Sequence, residues 1–230
     1  MSFSYAPAAT RSESQIREMF VQIYAWMTAG LLTTGAVASF TAGSPGMLAL
    51  IFGNPFMIWV LFIIEIAMVL SIGAITARVS AAAGMAMFLA YAAVNGLTLS
   101  SIFLIYTQDS VAQAFFVTAG TFAVMSALGL VIKLDLSRVR NVLYMALVGL
   151  LLATVVNMLW ANSTLYWIIT YAGVAIFVGL TVVDTQKIKE MALEDRSEGL
   201  GRVAVIGALT LYLDFVNLFL YLLRILGSRK

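Results

Sequence analysis

The sequence predicts an all-α integral membrane protein, a bundle of seven transmembrane helices, on three observations. First, 62% of its 230 residues are hydrophobic and only 10% are charged, where soluble domains carry about 25% charge; the mean hydropathy is +1.00. Second, seven segments reach the roughly 20 mostly apolar residues that a spanning helix needs: 19–41, 55–77, 81–106, 111–133, 141–160, 164–188 and 204–226. Third, Lys and Arg are concentrated in alternate connectors, as the sidedness of a multi-pass protein requires. There is no cysteine and no histidine, which excludes disulfides, thiolate chemistry and histidine-based proton relays or metal sites.

The first segment follows a polar stretch, "MSFSYAPAATRSESQIREMF", with no short apolar run and cleavage site, so no removable signal peptide is expected. Residues 1–18 read as a tail and 19–230 as one membrane domain without repeats. "TAGSPGM" separates spans one and two, and span two holds Glu65 near its middle and ends at Arg78. Span three places Tyr91, Asn95 and Thr98 on one face, a pattern that suits helix packing. "TQDS" precedes span four; Lys133, Arg138 and Arg140 join it to span five; "ANST" precedes span six; Lys187, Lys189, Arg196 and Arg202 lie at or between spans six and seven. With Arg11 and Arg17, these basic residues fall on one side, which predicts a cytoplasmic N-terminus. Arg224, Arg229 and Lys230 break the rule. Either a short basic tail is translocated or the seventh helix does not cross fully.

The polar residues inside the spans point to function. In span seven, Gly207, Thr210, Asp214, Asn217, Tyr221 and Arg224 recur at spacings of three and four, one seam of a helix. An aspartate facing lipid costs about 2.5–3.5 kcal/mol on insertion scales, so the seam is expected to face the bundle interior or a water-filled cavity. Span six offers Asp184 at the end of a weaker seam of Thr170, Gly173, Phe177 and Thr181. Each aspartate has an ordinary reading, as hydrogen-bonded helix glue for Asp214 and as an interfacial partner of Lys187 for Asp184. Depth favours a joint role: at 1.5 Å per residue, Asp184 lies roughly 9 Å before Glu190 and Asp214 roughly 12 Å after Ile206. Two consecutive antiparallel helices can therefore bring the carboxylates together. Such a pair cannot both ionise readily and shares a proton. Loss of that proton adds negative charge, repulsion and oxygen ligands for a hard cation; Ca²⁺ normally takes six to eight, so two aspartates make a transient site. Glu65 reads as a structural glutamate or a further station on the same path, and Arg78 either snorkels to headgroups or meets Asp184.

"GLTVVDTQKI" in span six, "ALTLYLDFVNLFLYLLRILG" in span seven and "NGLTLSSIF" in span three resemble the Bax inhibitor (TMBIM) family over nearly the whole chain, and the compact bacterial members most in character. The resemblance implies a seven-helix bundle with helix seven near the centre and a pH-sensitive Ca²⁺ leak. It implies that Asp184 and Asp214 are the pH sensor and transient calcium ligands. Arg78 would be the latch that holds the span-six aspartate closed, and Glu65, with Asn217 and Thr210, pore candidates. No cofactor and no enzymatic activity are expected. An intramembrane aspartyl protease would carry Gly-x-Gly-Asp where this chain has "LYLD"; a rhomboid-type protease needs a histidine, and a retinal protein a lysine in helix seven. A different alternative needs no ion flux: some bacterial relatives modulate a membrane-anchored ATP-dependent protease, and the polar N-terminal residues could make that contact. The expected location is the bacterial inner membrane.

Overall fold

Lipid offers no hydrogen bonds to an exposed backbone, so a chain of this composition must satisfy its amides within helices. The computed structural model describes residues 12–75, 79–195 and 200–230. Among these, the helices are α1 (Glu13–Ala42), α2 (Pro45–Phe52), α3 (Pro55–Ile75), α4 (Ala81–Leu99), α5 (Ile102–Ile105), α6 (Gln108–Val131), α7 (Ser137–Leu159), α8 (Ser163–Glu194) and α9 (Gly201–Leu226). Seven spans result, α1, α3, α4 continued by α5, α6, α7, α8 and α9, and the only β pairing among the described residues is one isolated bridge. The all-α seven-span bundle read from the sequence is what the chain forms.

α9 is the axis of the bundle. In its apolar stretch 67% of residues are buried, against at most 39% in any other span, and it packs on α1, α4, α6 and α8. Its Tyr212 is completely buried, with the rings of Phe88 and Tyr91 edge-on at 5.3 and 5.9 Å, an arrangement aromatic quadrupoles favour. At the periphery, α7 packs chiefly on α8 and buries only Leu150, while Val142, Met145, Leu151 and Leu152 face outward. α3 likewise turns Phe62, Ile63, Ile66 and Leu70 outward. These exposed apolar faces mark the surface that meets lipid.

The spans differ from the sequence reading at their ends, for local reasons. α1 starts at Glu13, six residues before its apolar segment, because Ser12 and Gln15 form a capping box: Gln15 N donates to Ser12 Oγ (3.3 Å) and Ser12 N to Gln15 Oε1 (3.1 Å). Within "TAGSPGM" and beyond, Pro45 opens the unforeseen short helix α2, where proline fits the first turn. The third span tightens at Ser100 and Ser101, whose hydroxyls donate to the carbonyls of Leu97 (2.6 Å) and Thr98 (3.1 Å). α8 runs to Glu194, 32 residues or roughly 48 Å, so its charged last turns extend past a hydrocarbon core about 30 Å thick.

The open question about the last helix is answered by its tail. α9 runs its full length, and Ser228–Lys230 are fastened to the α5–α6 connector, at the end of the bundle opposite α1's start. Thr107 N donates to Ser228 O (3.2 Å), Lys230 N to Ile105 O (2.9 Å) and Ser228 N to Ser110 Oγ (2.9 Å). Arg224 lies over the rings of Tyr166 and Tyr221 at 5.5 and 5.1 Å, which stabilises a cation near the same end.

Glycines let the helices approach closely, as small residues do between spanning helices. A Cβ at Gly96 would stand 2.7 Å from the Thr34 carbonyl oxygen and 2.8 Å from Val37 Cβ, so α1 and α4 would have to part. Gly96→Ala is expected to lower stability by about 1–3 kcal/mol, read from unfolding in detergent micelles. Gly149→Ala, where a new Cβ meets nothing within 4 Å, is expected to raise it by about 0.5–1 kcal/mol. Equal effects of the two substitutions would rule out the close-packing account.

Candidate functional site

The site grows from the polar run Asp184–Glu190 on α8. In an apolar helix each of these side chains must find a partner, and α6 and α7 supply them. Tyr144 Oη donates to Asp184 Oδ1 at 2.5 Å, the short distance of a charge-assisted O–H···O bond. Lys187 Nζ donates to Tyr144 Oη at 3.2 Å and stands 5.3 Å from the ring centroid. Arg140 Nη1 pairs with Glu190 Oε2 at 3.1 Å, the only ion pair among the described residues. Arg140 and Tyr144 are four residues apart on α7, Asp184, Lys187 and Glu190 three apart on α8, so one face of each antiparallel helix meets the other as a ladder.

The other residues of the run turn to α6. Thr185 Oγ1 shares a 2.9 Å bond with Ser126 Oγ, which in turn meets Tyr24 Oη of α1 at 2.6 Å. Gln186 Nε2 donates to the carbonyls of Leu134 (2.8 Å) and Ile132 (3.3 Å), and its Oε1 accepts from Leu136 N (3.3 Å), so one buried amide closes the turn between α6 and α7. Lys189 Nζ donates to the Leu130 carbonyl at 2.8 Å, a cation at a helix C-terminus. In the same turn Asp135 Oδ1 accepts from Ser137 N at 2.9 Å, and that bond holds the Asp135 carboxyl below its ordinary range.

Asp214 is the second carboxylate, on α9 against α8. It is 4% exposed, as is Asp184. Its Oδ2 is fully buried with no hydrogen-bond partner, an exception that buried polar atoms seldom allow. The charged group bearing on it is Asp184, so the two carboxylates lie within electrostatic reach of one another. The weaker seam of α8 is buried throughout: Thr170, Gly173, Phe177, Thr181 and Asp184. On α9, Gly207, Asp214 and Tyr221 of the predicted seam are buried, and Thr210 and Asn217 are partly so. Asn217 spends its Nδ2 on the Leu213 carbonyl of its own helix at 2.8 Å. Because α9 is surrounded, its seam is one of several buried faces rather than the one that escapes lipid. Asp184 pairs through Tyr144, and no ion pair with Lys187 forms among the described residues. Arg78 lies outside the described residues.

Glu65 stands in a separate network. Thr98 Oγ1 donates to its Oε1 at 2.6 Å and Asn95 Nδ2 to its Oε2 at 3.4 Å; Tyr212 Oη donates to Asn95 Oδ1 at 3.0 Å and meets Thr34 Oγ1 at 2.6 Å. Thr34 closes the chain on the Ala92 carbonyl at 2.8 Å. None of the hydrogen bonds or charge interactions of Glu65 reaches either aspartate. No three acidic side chains converge among the described residues. A divalent cation at Asp184 and Asp214 would draw on two carboxylates and take its other oxygens from elsewhere.

Sequence reasoning found both aspartates and Glu65 but not Tyr144, Gln186, Ser126, Thr34 or Tyr212. The signal for Gln186 was the unbroken polar run "DTQK" in an apolar helix; that for Tyr144 was its place one helical turn from Arg140, as the α8 charges lie about one turn from each other.

Comparison with known proteins bears on the whole chain. The profile of the family described as "Inhibitor of apoptosis-promoting Bax1" matches residues 16–230. The "Inner membrane protein YbhL" of Escherichia coli K12 is 43% identical over 231 aligned positions, which cover 99% of each chain. An uncharacterized protein of Borreliella burgdorferi is 40% identical, covering 96% of each chain. One of Deinococcus radiodurans is 40% identical over 94% of this chain and 92% of its own. A match of this extent, on a seven-span bundle with two buried aspartates on its last two helices, makes the chain a member of the Bax inhibitor family.

Proposed function

We propose that the protein is a pH-sensitive cation leak, with Ca²⁺ as the cargo and Asp184 and Asp214 as its proton sensor. The observation that supports this most is the Asp214 carboxyl, buried with an unpartnered Oδ2 on a helix packed against the one that carries a second buried aspartate. A lone structural aspartate would be expected to have its oxygens bonded; one that shares a proton with a neighbour keeps an atom free for it. With the proton in place the pair is held as a single charge. When it leaves, two negative charges repel across the α8–α9 packing and four carboxylate oxygens become available to a passing hard cation. No bond is made or broken in this reading, which is that of a conductor and not of an enzyme, and no cofactor takes part.

The peripheral α7 gives the gate something to move. It leans on α8 and is tied to it at Asp184 by the Tyr144 hydroxyl and nearer the helix end by Arg140 and Glu190. In this reading the Tyr144 bond takes the place of a latch on Asp184 in the closed form, beside whatever Arg78 supplies. Glu65, bonded into the network around Tyr212, is a structural glutamate rather than a station on the aspartate path. The bacterial inner membrane is the membrane in question, after the relative in Escherichia coli, with the N-terminus on the cytoplasmic side, where most Lys and Arg lie.

Ca²⁺ flux into liposomes holding the purified protein, measured between about pH 5 and 8 across the reference range of perturbed carboxylates, is the direct test. Wild type is expected to show a step in flux with pH, and Asp184→Asn and Asp214→Asn are each expected to flatten it, because one carboxylate alone has no partner with which to share a proton. Absence of Ca²⁺ flux at every pH would sink the leak.

Tyr144→Phe keeps the ring and removes the hydroxyl that ties α7 to Asp184. A hydrogen bond to a charged group contributes about 1.5–3 kcal/mol, so its loss is expected to raise basal leak about tenfold or more while a pH step survives. Unchanged basal leak in this variant would show that the tyrosine is not the tie.

A further inference from the structure

Between α1 and α6 the bundle is open. Both helices pack on α9, and the space between them is a run of three adjoining cavities of about 370, 780 and 500 Å³. Tyr24 and Leu130 line the first and second, and Leu31, Gly35, Phe115 and Phe215 line the second and third, so the three make one groove. From Arg17 to Ser39 along α1 it measures roughly 33 Å at 1.5 Å per residue, about the thickness of the hydrocarbon core. Both walls are spanning helices, so the medium outside the groove is lipid.

The groove offers hydrocarbon and little else. The hydroxyls along most of its walls are already taken, Tyr24 by Ser126, Ser126 by Thr185, Thr28 by the Tyr24 carbonyl and Thr34 by the Ala92 carbonyl, and further polar side chains, Ser39 and Gln108, line only the far cavity. A partner helix, about 10 Å across with its side chains, is the alternative occupant. An acyl chain is narrower and needs no polar partner. The two ends differ in charge. Glu13, Arg17 and Lys189 line one mouth, where Arg17 makes no ion pair among the described residues and Lys189 commits one of its three donors to Leu130. At the other end no basic residue lines the groove, and Lys230 is turned onto the Phe103 carbonyl.

We propose that this groove binds an anionic glycerophospholipid, with one acyl chain between α1 and α6 and the headgroup phosphate at Arg17 and Lys189. The proposal is independent of whether the aspartate pair gates a cation. It does place the lipid against Tyr24 and Ser126, whose hydrogen bonds lead to Thr185 beside Asp184.

The test is native mass spectrometry of the full chain in detergent, loaded with phosphatidylglycerol or phosphatidylcholine. Wild type is expected to keep one phosphatidylglycerol per chain in preference to phosphatidylcholine. Gly35→Leu puts a side chain into the groove where a new Cβ meets nothing within 4 Å, and it is expected to lose most of that lipid. Gly120→Leu, on α6 but outside the groove and equally free of clashes, is expected to keep it. Arg17→Gln, at an exposed side chain, is expected to reduce the preference for phosphatidylglycerol about fivefold. Equal retention by Gly35→Leu, no headgroup preference in wild type, or a dimer that Gly35→Leu dissolves would each overturn the proposal, the last because a second copy would then fill the groove.

Discussion

A carboxylate in the middle of a spanning helix has to be kept from lipid, and the architecture follows from that constraint. Asp214 sits halfway along α9, and insertion scales put the exposure of an aspartate to lipid at a few kcal/mol. The chain meets the constraint by making α9 the axis, with α1, α4, α6 and α8 around it and two thirds of its apolar stretch buried. Helices without intramembrane charge are free to stay outside: α7 has Arg140 at its charged end and otherwise an apolar exterior. α3 meets the same constraint differently: it stays peripheral and turns its one carboxylate, Glu65, inward onto Asn95 and Thr98 of α4.

The second consequence is that α8 becomes a hub. Its polar run reaches three directions at once, to α7 through Tyr144, to α6 through Ser126 and to the α6–α7 turn through Gln186. Inside a low-dielectric bundle such bonds are stronger than in water, and leaving one unmade is costlier. The run therefore fixes the rotation of α8 about its own axis, which keeps Asp184 turned toward the interior and within reach of Asp214. A hydrophobic contact surface alone would tolerate slippage, since lipid tails and leucines are equally apolar and packing by itself supplies the attraction.

Much of this was legible in the sequence. Hydropathy alone located the seven spans, because a bilayer imposes one length and one composition on every helix that crosses it. The aspartates stood out because charge is so rare there. What could not be read is what depends on contacts between spans. Tyr144 is an ordinary residue of an amphipathic end until α8 is laid beside it; Tyr212 looks like one more large side chain until four helices close around it. The start of α1 at Glu13 rests on a cap that hydropathy does not measure, and α2 on a proline that reads as a breaker when it is in fact a first-turn residue. Gly207, Asp214 and Tyr221 of the α9 seam are buried, and so are most of the apolar residues beside them, since a central helix has no lipid face.

The central place of α9 also sets what can move. Tyr212 and Asp214 are two residues apart on α9, which at 3.6 residues per turn sets them about 200° apart around its axis. Each opens onto a different polar network, Tyr212 onto Asn95, Thr34 and Glu65, Asp214 onto Asp184 and the ladder to α7. One network is built of complete hydrogen bonds and has no unpartnered side-chain atom among its members; the other contains the one aspartate oxygen without a partner. A rotation of α9 that relieved repulsion between the aspartates would have to break the bonds of Tyr212 on the far side, each of which contributes on the order of 1 kcal/mol. The satisfied network is therefore what holds the unsatisfied pair in place. It leaves α7, which buries only Leu150 and is tied to α8 at Tyr144 and Arg140, rather than the axis, as the part of the bundle with least to lose by moving.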